Sequence, residues 1–563
     1  MRRGPRRASS HGMAVRKEKG ARTFAPISRP VGRGFAGRGV YVVRMTANDT
    51  SARRAMGDRR LVLAGLMLSM ALAALDSTIV ATAIPSIVRD LGGFSLFPWV
   101  FSAYLLVQAV TIPIYGKLSD LYGRKPVLLL GIAIFVVGSA LSGASWSMTA
   151  LIVFRGIQGI GAGAVQPMTM TIAGDMFTVE ERARVQGYFS SVFGIASVIG
   201  PAIGGFLVQY ASWHWIFYIN VPIGIAAAYV VLRHFQETVE RRPHRIDYPG
   251  AAALGVAIGL LVLDLLEGGV GWAWASPTSF LLLAASVGLL VLFVRIERRA
   301  AEPTLPLWVF QRPMLLGANL ASLTIGAVST GLSSFLPVFV QGTMGATPIV
   351  AGAVLAAMSI AWPLASSQSG RLYLRIGFRR TALVGSVISL AAAALFVLLP
   401  ETSRPWQAAI PSFLMGAGLG FCAVTLIVSV QSVVAWRARG TVTAAQMFTR
   451  MVGSTLGAAM FGAILNAALV RYFAAAPASI RAYLPHSLSA ASLALSPNLT
   501  GVNARAVAFV REGLFVGVHH IFLAVALASA LTFVFLLRMP ARDEAVEEEA
   551  AERPVEIEPS VLA

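Results

Sequence analysis

Apolar runs close to twenty residues long recur along most of the chain, divided by short polar loops. About twenty helical residues are what a bilayer core of roughly 30 Å requires. The runs predict six spans, near 61–84, 97–115, 127–147, 149–172, 188–209 and 215–233. A polar linker, RHFQETVERRPHRIDYPG, interrupts them. Eight more follow, near 249–268, 278–295, 315–340, 347–367, 380–399, 406–430, 442–468 and 516–537. Fourteen spans make an all-α polytopic membrane protein.

The halves of this pattern repeat weakly. After span 2 the chain reads GKLSDLYGRK, Gly116 to Lys125, and after span 10 it reads GRLYLRIGFRR, Gly370 to Arg380. Both open Gly-basic-Leu and carry Gly-x-basic seven residues on, the mark of a transporter built from repeated bundles. The organisation that follows is a basic extension over 1–60, a six-helix bundle over 61–233, and a linker with two additional helices over 234–314. A second six-helix bundle covers 315–540, and an acidic disordered tail covers 541–563. Met45 and Met56 are further candidate starts, so part of the extension need not be translated.

Charge sets the orientation. Loops after even-numbered spans hold Lys117, Arg124, Lys125, Arg182, Arg184, Arg241, Arg242, Arg298, Arg299, Arg375, Arg379 and Arg437 among others. Those after odd-numbered spans are nearly free of basic residues apart from Arg89, Arg404 and a scatter in one long loop. The basic side is expected to be cytoplasmic, with both termini inside the plasma (inner) membrane. The net charge of +20 does not mean nucleic-acid binding, because 16 of the 46 Lys and Arg precede Leu61 and most others lie in these loops. Composition agrees, at 56% hydrophobic and 13% charged residues, where a soluble chain carries about 25% charged. The one cysteine, Cys422, excludes an intramolecular disulfide and a cysteine metal cluster. The glycines of RGIQGIGAG lie inside a span, and no phosphate-loop motif or nucleophile–base pattern occurs. Enzymatic chemistry and a cofactor are therefore not expected.

One stretch of span 5 breaks the rules of helix composition. FGIASVIGPAIGGF collects Gly194, Gly200, Pro201, Gly204 and Gly205, although Gly and Pro are the poorest helix formers. In lipid, helices associate through close backbone approach, and small residues four apart permit it. Gly200 and Gly204 have that spacing, and Pro201 removes a backbone donor and can bend the helix.

These motifs together resemble the major facilitator superfamily. GKLSDLYGRK is similar to its signature loop, Arg155-Gly156-Ile157-Gln158-Gly159 to its proton-linked motif, and the span 5 stretch to its antiporter motif. LDSTIVATAIP, WVFSAYLL and WHWIFYINVPIG resemble the fourteen-span drug:proton antiporter branch. The resemblance implies two six-helix bundles plus two central helices, exporting small amphiphilic compounds in exchange for protons. Export of one specific metabolite or antibiotic is the alternative, and a non-transporting membrane sensor or assembly subunit comes from another class. The small-molecule substrate and the lipid bilayer are the partners implied, and a periplasmic adaptor protein is a further candidate.

Site residues follow. Asp76 on span 1 and Arg155 on span 4 share one depth in one bundle and form the expected proton-coupling pair. A carboxylate that is both buried and beside an Arg is balanced between charged and protonated forms; the alternatives are a static ion pair and an Asp76 that caps a span end. The resemblance assigns a cytoplasmic gate to Gly116, Lys117, Asp120, Gly123 and Arg124. Leu374 stands in the second loop where Asp120 stands in the first, so a charge lock there is incomplete. Gln158, Asn220 and Arg450 are candidates for the substrate cavity, with helix–helix bonding the alternative for Gln158 and snorkelling the alternative for Arg450. Asp264 and Glu267 are expected at the outer interface.

Overall fold

The computed structural model describes residues 50–177, 179–237, 247–300, 305, 307–434, 439–481 and 504–540. The basic extension before residue 50 and the acidic tail after residue 540 lie outside them, as do the side chains of Lys117 and Asp120. No strand occurs among the described residues, and fourteen helices are long and apolar enough to cross a membrane. They are α1 (Arg59–Leu91), α2 (Phe97–Tyr122), α3 (Arg124–Gly143), α4 (Met148–Met176), α5 (Val179–Tyr210), α6 (Trp215–His234) and α7 (Tyr248–Glu267). The others are α8 (Pro277–Glu297), α9 (Pro313–Val338), α10 (Pro348–Ile376), α11 (Phe378–Val397), α12 (Pro405–Ser432), α13 (Arg439–Ala474) and α14 (Ala504–Leu537).

The count of fourteen is the one the hydropathy pattern predicts, but several helices outlast their apolar runs. Span 1 was expected to end at 84, and α1 continues through Pro85 to Leu91. The final span was expected from 516, and α14 begins at Ala504, before Arg505, Arg511 and Glu512. Charges and a proline end a hydrophobic run without ending a hydrogen-bond ladder. In the longer α1, Asp76 lies fifteen residues from Leu91 and so near the middle of the helix.

Local signals set the helix starts. Proline occupies the first turn of α2, α7, α8, α9, α10 and α12, where its missing N–H is not needed. The side chains of Ser147, Asp247 and Ser276 cap α4, α7 and α8 by accepting a backbone N–H. Helices α2 and α3 join through Gly123 alone, whose φ of 97° is open to glycine and costly for other residues.

The helices form two bundles, α1–α6 and α9–α14, with α7 and α8 beside them. Glycines set the tight crossings. In the first bundle Gly159 and Gly163 of α4 lie against the Tyr104 and Gln108 carbonyls of α2, as Gly416 and Gly420 of α12 lie against the Met358 and Trp362 carbonyls of α10 in the second. Gly200 and Gly204 of α5 meet Thr78 and Thr82 of α1, as Gly453 and Gly457 of α13 meet Leu323 and Ala327 of α9. The two bundles are thus built on one plan.

For orientation, the end carrying the α2–α3 and α10–α11 loops is here called the basic end. One hydrophobic core runs through the second bundle and across to the first at the opposite end, joining Ile84, Phe97 and Val100 to Phe335 and Phe339. A separate core, with Leu66, Ile132, Phe135 and Met168, fills the basic half of the first bundle. At the opposite end Gln341 donates to the Thr82 carbonyl at 3.3 Å and Asn466 to the Ser95 carbonyl at 3.0 Å, both across the bundles. At the basic end Tyr122 and Leu374 stand exposed. The bundles are thus joined by apolar packing and hydrogen bonds at the end opposite the basic one.

The inserted pair sits on one seam only. Helix α7 packs on α2, with Gly255 beside Val110 and Gly259 beside Leu106, and reaches α13 through Leu266 and Gly462. Helix α8 packs on α7, where the Ser286 hydroxyl donates to the Ala257 carbonyl at 2.8 Å. Its other side presents Phe280, Leu281 and Val287 outward, a surface suited to lipid.

Candidate functional site

Five helices of the first bundle converge on Asp76. Arg155 of α4 donates from Nη1 to Asp76 Oδ2 at 2.7 Å. One turn along α4, Gln158 donates from Nε2 to Asp76 Oδ1 at 2.8 Å, and its own Oε1 accepts from Arg155. Asn220 of α6 donates to Asp76 Oδ1 at 3.0 Å and also lies 3.0 Å from the Ser139 hydroxyl of α3. The Tyr104 ring of α2 lies under the Arg155 guanidinium, 4.0 Å from its carbon. Asp76 is 0% exposed and Arg155 1%. Desolvating two charges is costly, and here three N–H donors and an aromatic face offset that cost.

The expected pair is therefore present, in a sealed network wider than the pair. Gln158 and Asn220, expected to line the substrate cavity, are instead buried and turned onto Asp76. Their amides are worth more there, because a buried carboxylate needs every acceptor position filled. Tyr104 and Ser139 were not read from the sequence, and neither was Gly138. A Cβ at Gly138 would fall 2.5 Å from the Gln158 nitrogen, so this glycine lets α4 reach the depth at which Gln158 meets Asp76.

Among the described residues the second bundle has no such network. The correspondence of crossings sets Asp76 against Ala321, Tyr104 against Met358, Ser139 against Ala393 and Gln158 against Met415, all buried apolar residues. Arg155 corresponds to Ser412, whose hydroxyl donates to the Val354 carbonyl just as Arg155 Nε reaches toward that of Val100. Among the described residues this ion-pair network belongs to the first bundle alone.

The loop repeats divide in the same way. Gly123 and Gly377 both have positive φ, and the next-but-one residues, Lys125 and Arg379, donate to carbonyls at the last turn of α6 and of α14 (Leu232 at 2.8 Å, Leu537 at 2.7 Å). These shared residues hold the bundle together. The first loop adds Arg124, paired with Asp175 at the end of α4, where the second has Phe378. It also gains Glu237 from the linker after α6, whose carboxylate accepts the backbone N–H of Arg124 and, at 3.3 Å, of Lys125. An acid on the positive end of a helix is favourable. Glu237 had one signal in the sequence, an acid placed just after the sixth span.

The span 5 motif has two working faces. Gly200 and Gly204 lie against α1, where a Cβ on Gly204 would come 2.9 Å from the Ile79 carbonyl. Gly205 lies against Pro348 and Ile349 of α10, the Pro201 carbonyl against Gly352, and Gly194 near Pro363 at 3.4 Å. The motif therefore packs α5 within its own bundle and against the other bundle. Arg450, by contrast, lies on α13, away from the Asp76 network, and among the described residues no acidic side chain pairs with it. Asp264 and Glu267 accept the indole N–H of Trp272 and Trp99, each at 3.2 Å, at the end of α7 opposite the basic end.

Comparison with known proteins agrees with this architecture. Residues 66–458 match the family described as Major Facilitator Superfamily. The chain is 38% identical over 421 residues to "Multidrug resistance protein 3" of Bacillus subtilis (strain 168), covering 74% of this chain and 81% of that one. It is 37% identical over 409 residues to "Multidrug transporter protein MdtP" of the same organism, covering 73% and 76%. Among solved structures, a bacterial homologue of the human lysosomal transporter Spinster, inward-facing and unoccupied, superposes with a TM-score of 0.60 at 17% identity, covering 86% of this chain and 98% of that one. With its two like bundles, fourteen spans and matching family motifs, this chain belongs to the major facilitator superfamily and is a multi-pass membrane transporter, not an enzyme.

Proposed function

We propose that this protein exports small amphiphilic compounds across the plasma (inner) membrane, driven by protons moving inward through alternating access. The observation that carries the proton-coupled reading is the buried Asp76–Arg155 pair, present in one bundle and replaced by the uncharged Ala321 and Ser412 in the other. Three N–H groups on α4 and α6 donate to the Asp76 carboxylate while the bundles are joined at the opposite end. Rearrangement of these helices withdraws donors, and a proton takes their place. One charge moved through 100 mV supplies about 2.3 kcal/mol, enough for roughly a fifty-fold gradient.

The basic loops support a cytoplasmic location for the basic end, with both termini inside. Gly123, Arg124 with Asp175, and Glu237 then form the fixed part of the cytoplasmic gate. The names of the Bacillus relatives support drug-like substrates, and the span 5 motif supports export over uptake. The coupling ion is the proton, and no organic cofactor is required. The test is reconstitution into vesicles with an imposed pH gradient and a panel of amphiphilic dyes. The gradient is expected to drive dye accumulation, and added dye to move protons. Transport that ignores the gradient would overturn proton coupling.

A further inference from the structure

Few charged side chains lie in the middle of a described span. Asp76 and Arg155 neutralise each other. Asp264 and Glu267 belong to the end of α7 opposite the basic end and accept indole N–H groups. Arg511 and Glu512 lie near the start of the 34-residue α14. That leaves Arg450, eleven residues along α13 and about 16 Å from its first residue. Its backbone carbonyl meets Gly326, at the middle of α9. Among the described residues no acidic side chain pairs with it, and its side chain is half-buried.

Its direction follows from the common plan of the bundles. Gly453 and Gly457 of α13 correspond to Gly200 and Gly204 of α5, so Arg450 corresponds to a position between Gly194 and Pro201. Those two residues face α10 of the partner bundle. Arg450 thus stands on the side of α13 turned toward the midline between the bundles. One turn toward the basic end, Gln446 donates to the Ser322 hydroxyl at 3.0 Å and leaves its own Oε1 unpaired. One turn before Ser322, Asn319 is 1% exposed with neither amide atom hydrogen-bonded. A guanidinium and an unspent amide thus share the α9–α13 face of the second bundle.

We propose that Arg450 is the counter-ion for an acidic group, a carboxylate or sulfonate, on the exported compound. An unpaired cation at mid-depth is too costly to serve packing alone, and a planar fork of donors suits a two-oxygen anion. The acids that would suit a cationic substrate are all engaged among the described mid-span residues, so the site selects anions or neutral compounds over cations. The two bundles then divide the work, with the proton on the first and the substrate's charge on the second. The inference rests on the export reading and deepens it by naming the substrate class.

The test pairs carboxyfluorescein, an anionic xanthene dye, with rhodamine 6G, a cationic ester of the same ring system. Binding to the purified protein and gradient-driven uptake into vesicles are measured for the native chain, Arg450→Gln and Arg450→Lys. The native chain is expected to bind and transport carboxyfluorescein. Arg450→Gln is expected to weaken its binding about tenfold or more, as the loss of a charge-assisted hydrogen bond implies, with Arg450→Lys between the two. Rhodamine 6G transported with carboxyfluorescein ignored, or carboxyfluorescein binding indifferent to Arg450→Gln, overturns the inference and leaves the export reading intact. Carboxyfluorescein binding that depends on Arg450 without any uptake sinks the export reading and keeps the anion site. Size-exclusion profiles identify a misfolded variant, and Arg450→Lys then decides through its own binding of the two dyes.

Discussion

Replacing the Asp76 carboxylate by an amide keeps its volume but removes the charge that Arg155 faces at 2.7 Å. Asp76→Asn mimics the protonated state and has no proton to release, so pH-driven uphill transport is expected to vanish while binding of a neutral compound persists. Stripping one partner from a buried pair costs about 3–5 kcal/mol, so the detergent-solubilised variant is also expected to melt earlier. Substrate-induced proton movement and a thermal melt check both; normal coupled transport by Asp76→Asn removes this residue from the mechanism. Arg155 bonds Asp76 and Gln158 from one nitrogen while its Nε turns toward Val100. A lysine keeps the charge but not that fork, so Arg155→Lys is expected to retain partial activity at most.

At the scale of the helix, α5 has little room on two sides. Gly204→Leu keeps the segment hydrophobic, yet a Cβ there already meets Thr82 and the Ile79 carbonyl of α1. Insertion is expected to stay near normal and transport to fall sharply, measured as membrane yield against dye efflux. Normal efflux would show that this crossing is not needed. At the start of α3, Glu237→Gln loses the attraction of a carboxylate for a helix N-terminus, about 1 kcal/mol, which is roughly a fivefold change in an equilibrium. Faster tryptic cleavage of the linker at Arg241–Arg242 is the expected result, and unchanged cleavage would mean that Glu237 does not anchor it.

Over the whole molecule, the end opposite the basic one is held by apolar packing and by two carboxamides reaching across it, Gln341 to Thr82 and Asn466 to Ser95. Each bond is worth about 1 kcal/mol net. Gln341→Leu with Asn466→Leu is therefore expected to shift the balance by about tenfold or more toward the conformation open at that end. Maleimide labelling of a cysteine placed at Ser333, half-buried on α9 in this conformation, reports it; unchanged labelling would assign the closure to packing alone. Topology belongs to this scale too. Reporter fusions near Glu237 are expected inside and fusions near Ser496 outside, and an external signal at residues 236–246 would invert the orientation.

The sequence by itself determined what hydropathy and local chemistry can encode. Fourteen spans follow from run length, because lipid demands apolar helices of about one bilayer thickness. The glycines of FGIASVIGPAIGGF announced a tight crossing, since small residues have no other use in such a helix. Asp76 and Arg155 announced themselves because charge in a span is costly. Tertiary structure decided what depends on residues distant in the chain. It turned Gln158 and Asn220 from the cavity onto Asp76, and it set Tyr104 beneath Arg155. It gave the motif on α5 a second face against α10, and it placed α7 on only one of the two seams. It also separated the shared loop residues, which hold α6 and α14, from Arg124, which meets Asp175 in the first bundle alone. A side chain's type fixes which partners satisfy it, and only the packed fold fixes which of them lies within 3 Å.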